Sequence, residues 1–241
     1  MFDLHTHTVA SGHYTTDTLT KLIAAAHKRG LTALGVSEHA PAMAGACRES
    51  YFLALRSMPR VRMGQELLYG AELNILNDQG RVDLPAEVLE GLDYTIASLH
   101  PPIFPCRDEK YTTDAYIGAM RSPYINVIGH PDDQKYPLQL DRFLSAAKET
   151  GTLPELNNSS LTNGYRGDTV RFNLELLACC KERSIPILLG SDSHGAAHVG
   201  DVSACLKLVE QTAFPRELIL NYDLPAFRKL VAQKRAGSAK F

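Results

Sequence analysis

The sequence predicts an α/β fold in which parallel strands close into a barrel. Seven short apolar runs have the length of buried strands, and helical patterns lie between most of them. Strands that alternate with helices favour parallel pairing, and the chain lacks both G-x-G-x-x-G and a P-loop. A closed barrel is therefore favoured over a doubly wound sheet. The runs are residues 1–5, 31–39, 67–76, 92–100, 124–131, 151–158 and 185–194.

Helical periodicity is clearest in three segments between these runs. Apolar residues at i, i+3, i+4 and i+7 mark residues 19–26, 140–147 and 202–209 as amphipathic helices. Gly30 and Gly151 follow the first two segments, where a C′ glycine ends a helix.

Two connections are also predicted. The tight turn "NDQG" at residues 77–80 places Ile75 and Val82 on either side of a small hairpin after the third strand. Residues 40–58 are interpreted as a loop with a short helix.

Composition favours a globular protein with a single domain over residues 1–241. Hydrophobic residues make up 44% of the chain and its formal net charge is −2, which predicts neither a nucleic-acid partner nor a membrane-bound state. The first residues lack the basic and apolar regions of a signal peptide, and the five cysteines contain no C-x-x-C pair. We therefore expect a cytoplasmic protein with reduced thiols. The sequence predicts no particular oligomeric state.

Side chains of the types that bind metals, which here are His, Glu and Asp, concentrate at the carboxyl ends of the predicted strands. In a parallel barrel these ends converge on one face, where active sites are built. In "HTH" and "DSH" the two side chains are two residues apart and point to the same side of a strand. The residues at strand ends are His5, His7, His39, Glu72, His100, His130, Asp192 and His194, and His13 lies in the loop after the first strand.

This set favours a metal centre over isolated structural histidines. Imidazole binds zinc, iron, copper and nickel, and a carboxylate bridges two ions. At about three protein ligands per catalytic metal, the set predicts about three ions. A lone histidine at a strand end is more often structural, and we interpret His27, in the first helix, in that way. His198 is interpreted as a loop residue, with a substrate contact as the alternative.

Taken in order, the motifs "HTH", "SEH", "GAELNI", "ASLH", "GHP" and "GSDSH" resemble the PHP (polymerase and histidinol phosphatase) superfamily. The resemblance covers essentially the whole chain and, through "ELNNSS" and "GSDSH", is strongest to small stand-alone bacterial PHP phosphatases. It implies a distorted (β/α)7 TIM-like barrel with a metal site of three divalent ions at the C-terminal face of the strands. Zn2+ is the preferred ion, and Mn2+ and Fe2+ are alternatives because imidazole-rich sites accept all three.

The resemblance also implies a set of ligands for each ion. The first ion is held by His5, His7, Glu72 and Asp192, the second by Glu72, His100 and His130, and the third by His13, His39 and His194. Glu72, Asp192 and His194 are the predicted catalytic residues. The second motif reads "SEH" where the superfamily commonly has T-D-H, and we expect Glu38 to point away from His39 in a supporting role.

A site of this composition favours a multiply charged anion. Three divalent ions and two carboxylates leave a charge of about +4, which suits phosphate better than a neutral ester or an amide. Close ions generate hydroxide near neutral pH, so no nucleophilic side chain is needed, and Cys106 lacks the partner pattern of a nucleophile. Arg166 in "NGYRGD" and Asn157 are the candidate substrate-binding residues, with a solvated loop arginine as the alternative for Arg166.

The leading hypothesis is a metal-dependent phosphatase that hydrolyses phosphate monoesters of small molecules with metal-activated hydroxide. Histidinol-phosphate phosphatase and a nuclease-like phosphodiesterase are the alternatives within the same chemistry, and the negative net charge disfavours the nuclease. A related hydrolase of C–N bonds is a further alternative. A metal-binding regulatory module without turnover is disfavoured because the ligand set is intact.

Overall fold

A computed structural model describes residues 1–101, 103–237 and 239–241 of the chain. Within these residues the strands are β1 (Thr6–His7), β2 (Ala33–Val36), β3 (Val61–Arg62), β4 (Gln65–Tyr69), β5 (Glu72–Asn74), β6 (Ile96–Ser98), β7 (Val127–Ile128), β8 (Leu153–Asn157), β9 (Leu188–Gly190) and β10 (Ser193–His194). The helices are α1 (Leu19–Lys28), α2 (Glu49–Ala54), α3 (Ala86–Leu89), α4 (Glu109–Met120), α5 (Leu140–Thr150), α6 (Asn158–Asn163), α7 (Val170–Arg183), α8 (Ser203–Gln211) and α9 (Leu224–Arg235). Short 3-10 helices lie at Val9–Ser11, Leu55–Ser57, Arg216–Leu218 and Leu220–Tyr222.

Parallel pairing dominates the sheets. Strands β5 to β9 form a parallel sheet in chain order, and β1 pairs in parallel with β10. Strand β2 pairs in parallel with β4, whose other neighbour, β3, is antiparallel. Single-residue parallel bridges join Asp3 to Leu34 and His39 to Glu72. These pairings confirm the predicted α/β fold with parallel strands.

Three of the predicted strands differ in the structure. The first, residues 1–5, has its paired strand at Thr6–His7 and only a single bridge at Asp3. The third is divided between β4 and β5 at Gly70, where a Cβ atom would lie 2.6 Å from the Tyr94 ring. The seventh is divided between β9 and β10, where Asp192 has a φ of +51°. Local apolar runs do not reveal such breaks, because each depends on a partner distant in sequence.

The three predicted amphipathic helices correspond to α1, α5 and α8. Gly30 and Gly151 have φ angles of +68° and +63°, which explains why glycine stands at these helix ends. Ile75 and Val82 form the antiparallel bridge expected of the hairpin, and α2 is the short helix expected within residues 40–58. Among the helices described above, none combines the length and apolar character that crossing a membrane requires.

Apolar side chains of the strands and of the residues next to them form a small core that α9 covers. Phe227 of α9 packs on Phe2 and Tyr94, with ring centroids 5.7 and 6.2 Å away. Each large apolar side chain buried in this way contributes about 1.5–3 kcal/mol to stability. The core consists of Phe2, Leu4, Ala33, Leu68, Tyr94, Ile96, Val127, Leu153, Leu188, Phe227, Leu230, Val231 and Ala239.

Candidate active site

The predicted metal-type residues lie together at the carboxyl ends of the parallel strands. They border a cavity of about 730 Å3. Its lining includes His13, His39, Glu72, His100, His130, Asp192 and His194. His5 and His7 are fully buried beside Glu72 and Asp192. The fold therefore brings all nine predicted residues into one place.

Glu72 lies at the centre of the cluster and presents each carboxylate oxygen to different imidazoles. Its Oε1 atom is 2.9 Å from His130 Nε2 and 3.3 Å from His100 Nε2. Its Oε2 atom is 2.8 Å from His39 Nδ1. A carboxylate with its two oxygens turned to different sets of nitrogens has the arrangement that bridging of two ions requires.

His5 and His7 approach the same two carboxylates from the first strand. Their Nε2 atoms lie 3.4 and 3.5 Å from Glu72 Oε2, and 3.6 and 3.5 Å from Asp192 Oδ1. Two ligands of a tetrahedral zinc ion, each about 2.1 Å from the metal, lie about 3.4 Å apart. The spacing of these four side chains therefore suits a tetrahedral ion.

A third group of imidazoles lies beside the first. The ring nitrogens of His7, His39 and His194 are within 4.8 Å of one another. His13 stacks on His39 with ring centroids 4.7 Å apart, and its ring is 5.2 Å from that of His194. The structure thus brings His13, His39 and His194 together as predicted, and it adds His7, which adjoins both this group and the group around Asp192.

Buried polar side chains hold the outer nitrogens of the imidazoles. Asn74 Oδ1 lies 2.7 Å from His100 Nδ1, and Ser11 Oγ lies 2.9 Å from His7 Nδ1. The Ser11 hydroxyl in turn donates to Glu38. Fixing one ring nitrogen in this way leaves the other available to a metal. Glu38 is therefore connected to the cluster through Ser11, and its supporting role stays a prediction.

Sequence reasoning missed Glu155, which lies directly behind the cluster. It is completely buried, and its Oε1 atom is 2.6 Å from His5 Nδ1. A signal was present, because Glu155 is a carboxylate within the apolar run "TLPELN" and stands two residues before Asn157, on the same side of β8.

Burial keeps several imidazoles of the cluster neutral. It lowers the pKa of His100 and of His13 to about 4. It also lowers the pKa of His7 well below its ordinary value, and two neighbouring imidazoles add to the effect. A neutral imidazole is the form that binds a metal, so these side chains are in the required state near pH 7.

The two carboxylates of the cluster are charged despite their burial. Burial alone would raise the pKa of Glu72, but His39 and His5 hold it well below its ordinary value. The pKa of Asp192 is likewise opposed by burial and is held low by His5 and Arg166. The cluster therefore combines anionic oxygen donors with several neutral imidazoles. His5 differs, because burial alone would lower its pKa but the carboxylates of Glu155, Asp192 and Glu72 raise it well above its ordinary value.

Arg166 and Asn157, the candidate substrate-binding residues, both contact Asp192. Arg166 Nη2 donates to Asp192 Oδ2 at 3.0 Å, and Nη1 donates to Ser160 Oγ at 3.0 Å. Asn157 Nδ2 is 3.3 Å from Asp192 Oδ2. Arg166 is buried and lines the cavity, which differs from the alternative of a solvated loop arginine.

The remaining polar candidates lie outside the cluster. His198 lies in a loop that lines the cavity, whereas the ring of His27 contacts the Met63 carbonyl oxygen at 2.8 Å on the surface. Cys106 is exposed and its thiol donates to the carbonyl oxygen of Lys135.

Unpaired buried atoms show that the cluster fits cations. Within the described part of the chain, six of its atoms have no hydrogen-bond partner: His5 Nε2, His7 Nε2, His39 Nδ1, His130 Nδ1, His194 Nε2 and Glu72 Oε2. Buried polar atoms are normally paired, so nitrogen and oxygen lone pairs that converge without partners indicate a missing positive group. Divalent metal ions satisfy this requirement with the donor types present.

The chain belongs to the PHP domain family, whose model matches residues 3–154. It is 37% identical over 236 residues to the probable phosphatase of Caldanaerobacter subterraneus subsp. tengcongensis, covering 98% of this chain and 92% of that protein. It is 38% identical over 226 residues to a probable phosphatase of Caldicellulosiruptor bescii, covering 93% and 92%. These relatives confirm the predicted family and the predicted class of enzyme, a phosphatase.

A solved structure shares the fold at lower sequence similarity. The histidinol phosphate phosphatase of Lactococcus lactis subsp. lactis, determined with zinc, L-histidinol and phosphate, superimposes with a TM-score of 0.63. The identity is 19%, and the match covers 89% of this chain and 94% of the other. At this identity the likeness shows the fold alone.

Proposed function

We propose that this chain hydrolyses phosphate monoesters of small molecules at a centre of three divalent ions, with Zn2+ as the preferred metal. The observation that carries the proposal is the convergence of buried, unpaired imidazole nitrogens on the carboxylates of Glu72 and Asp192. The phosphatase names of the relatives and the zinc and phosphate of the Lactococcus structure support the same reading.

Each ion has a proposed set of ligands. His5, His7, Glu72 and Asp192 hold the first, Glu72, His100 and His130 the second, and His13, His39 and His194 the third. When bound, divalent ions lower the pKa of water and neutralise the charge that develops on phosphoryl oxygens. Glu72 keeps two sets of imidazoles in one place, and Asp192 orients the first set. His194, whose side chain is 20% exposed, brings the third set to the cavity.

Arg166 is the proposed substrate-binding residue, and Asn157, which is fully buried, supports it rather than contacting the substrate. The Arg166 guanidinium lines the cavity and is fixed by Asp192 and Ser160, so its positive charge is held in place for a phosphate oxygen. Asn157 Oδ1 lies 3.4 Å from Arg166 Nη1 and adds to this fixation.

We infer that the sheets are parts of one distorted (β/α)7 barrel and that residues 1–241 form a single domain. The parallel pairing of β1 with β10 and the bridges from Asp3 to Leu34 and from His39 to Glu72 support closure. In such a barrel the ligands from distant strands share one rim. The cytoplasmic location and the lack of a nucleic-acid partner stay predictions.

The direct test is a screen of phosphorylated metabolites against protein whose metal content has been measured by elemental analysis. We expect about three ions per chain and turnover of monoesters, with histidinol phosphate and a phosphodiester included as comparison substrates. Turnover of the diester alone would favour the nuclease-like alternative. An active protein that saturates at one ion would exclude the trinuclear centre, and full metal loading without any turnover would indicate a regulatory module.

A further inference from the structure

Glu155 is a carboxylate on β8 that lies beside the proposed metal ligands. Its side chain is completely buried, yet each oxygen has a specific partner. Oε1 lies 2.6 Å from His5 Nδ1, and Oε2 accepts from the backbone N–H of His130 at 2.8 Å. Oε2 also accepts from Asn157 Nδ2 at 3.0 Å. Hydrogen bonds to all of these donors offset the high cost of burying a charge.

Gly190 leaves the space that this carboxylate occupies. A Cβ atom at Gly190, on β9, would lie 1.9 Å from Glu155 Oε1. At Gly129, just after β7, a Cβ atom would lie 2.3 Å from Ser98 Oγ and 3.6 Å from Glu155 Oε2. Gly190 on β9 therefore leaves room for Glu155 to reach His5, whereas a side chain at Gly129 would collide with Ser98 and only touch Glu155.

The partners of Glu155 belong to ligand sets of two different ions. His5 belongs to the first proposed set and His130 to the second. The backbone of His130 has a φ of +30°, which is unfavourable for a residue with a side chain. The hydrogen bond from its N–H to Glu155 helps hold this conformation, in which His130 Nε2 is 2.9 Å from Glu72 Oε1.

Asn157 extends the connection to Asp192. Its Nδ2 atom lies 3.0 Å from Glu155 Oε2 and 3.3 Å from Asp192 Oδ2. The same carboxylate is thus linked to a third proposed ligand through one amide group.

We propose that Glu155 is a positioning residue that fixes the tautomer of His5 and the backbone of His130 so that both rings present Nε2 to the metal centre. This inference rests on the proposed function for the identity of the ligands. An anionic oxygen at Nδ1 selects the tautomer with the proton on Nδ1, which leaves the Nε2 lone pair free to coordinate. Because one buried carboxylate bonds to both His5 and His130, it also fixes the distance between these two ligands.

Glu155→Gln tests this role with almost no change in shape. The glutamine side chain has one oxygen and one NH2 group, so it satisfies either the His5 ring proton or the His130 N–H, but not both as the carboxylate does. If the NH2 group faces His5, it favours the tautomer with the proton on Nε2, which blocks coordination. We expect zinc affinity, measured by competition with a chromophoric chelator, to fall about 10- to 100-fold.

Two further variants separate positioning from general loss of structure. Gly190→Ala disturbs the same contact from the neighbouring strand and is expected to weaken zinc binding in the same direction. Asp132→Asn is the matched control, because Asp132 is an equally buried carboxylate whose hydrogen bonds go to Ser160 and Asn173. We expect this control to keep the zinc affinity of the native protein. Circular dichroism establishes that each variant is folded.

A spectroscopic measurement reports on the tautomer without any turnover. Long-range 1H–15N spectra of the metal-loaded native protein should show His5 with a protonated Nδ1, and this signature should be lost in a folded Glu155→Gln variant. Native zinc affinity and an unchanged His5 signature in that variant would overturn the positioning role. Zinc binding by the native protein without hydrolysis of any phosphate ester would instead contradict the proposed function. The zinc affinity and the His5 signature would still test the positioning role of Glu155, because neither depends on turnover.

Discussion

His7 and His194 lie opposite each other in the parallel pairing of β1 with β10, and their imidazole rings stack with centroids 4.3 Å apart. One residue belongs to the first strand of the chain and the other to the last. The short pairing of Thr6–His7 with Ser193–His194 therefore brings proposed ligands from both strands to one place. It gives a reason for the concentration of histidines near the N-terminus: residues that join the first strand to the last also belong to the proposed metal centre.

Metal binding should therefore stabilise the junction of β1 with β10. Ions bound only by the folded state at 100 times the dissociation constant add about 2.7 kcal/mol each, and 1 kcal/mol shifts the melting temperature of a chain of this size by about 2–4 °C. We expect a chelator that removes all three proposed ions to lower the melting temperature of the native protein by about 15–30 °C, and to have a smaller effect on His7→Ala. His27→Ala, at a surface histidine, is the control and should respond as the native protein does. An unchanged melting temperature of the native protein in chelator would contradict the argument.

Glu72→Gln should remove the carboxylate shared by two ligand sets. Glu72 Oε1 faces His100 and His130 of the second set, and Oε2 faces His5 and His7 of the first. The loss of the Glu72 charge should therefore weaken metal binding by both sets. We expect turnover to fall about 10³-fold or more, as for other large electrostatic contributions to catalysis, and the metal content to decrease. The exposed Glu90→Gln is the control, and both variants are compared by steady-state kinetics and elemental analysis. Near-native kcat with full metal content in Glu72→Gln would show that Glu72 bridges no ions.

Arg166→Lys should lower kcat/KM for phosphate monoesters about 10- to 100-fold. A lysine keeps the positive charge but lacks the fork that reaches Asp192 and Ser160 together, so the position of the charge is lost. Arg171→Lys, on the exposed side of α7, should retain native kinetics. If Arg166→Lys also kept native kcat/KM, Arg166 would have no role in binding the phosphate or in orienting Asp192.

Lys234→Met should destabilise the fold at a point far from the metal centre. The buried Lys234 ammonium donates to the carbonyl oxygens of Met120 and Thr150, the last residues of α4 and α5, and to Thr152 Oγ1. Removing it takes this donor from both carbonyl oxygens, at a cost of about 2–4 kcal/mol in the free energy of unfolding by urea. The exposed Lys229→Met on the same helix should change stability by less than about 0.5 kcal/mol. Equal stability of both variants would refute this role.

The same lysine predicts a pH dependence of stability. Burial lowers the pKa of Lys234 to about 7 in the folded protein, whereas a lysine in the unfolded chain titrates near 10.5. Between these values the unfolded chain binds more protons, so the free energy of unfolding rises with pH by up to about 1.4 kcal/mol per pH unit. We expect this rise between pH 7 and about 9 in the native protein relative to Lys234→Met. Identical slopes in the two proteins would show that the folded-state pKa of Lys234 is not lowered.

The sequence by itself predicts the class of fold and the location of the site at the carboxyl ends of the strands. Periodicity is local, so seven apolar runs and three amphipathic helices are visible without any knowledge of their partners. The two-residue repeat of a strand places His5 with His7, and Asp192 with His194, on common sides. The location of these pairs at strand ends then predicts one cluster, and the structure shows that cluster around Glu72.

Only the tertiary structure decides how these residues are combined and supported. His7 adjoins two groups of ligands because β1 pairs with β10, and no local pattern encodes that pairing. Glu155 reaches His5 only because Gly190 leaves space on the neighbouring strand. Each of these contacts joins residues far apart in the sequence, and its geometry depends on the packing of side chains from several strands. Local composition therefore determines which chemistry gathers at the strand ends, while long-range packing determines which atoms meet.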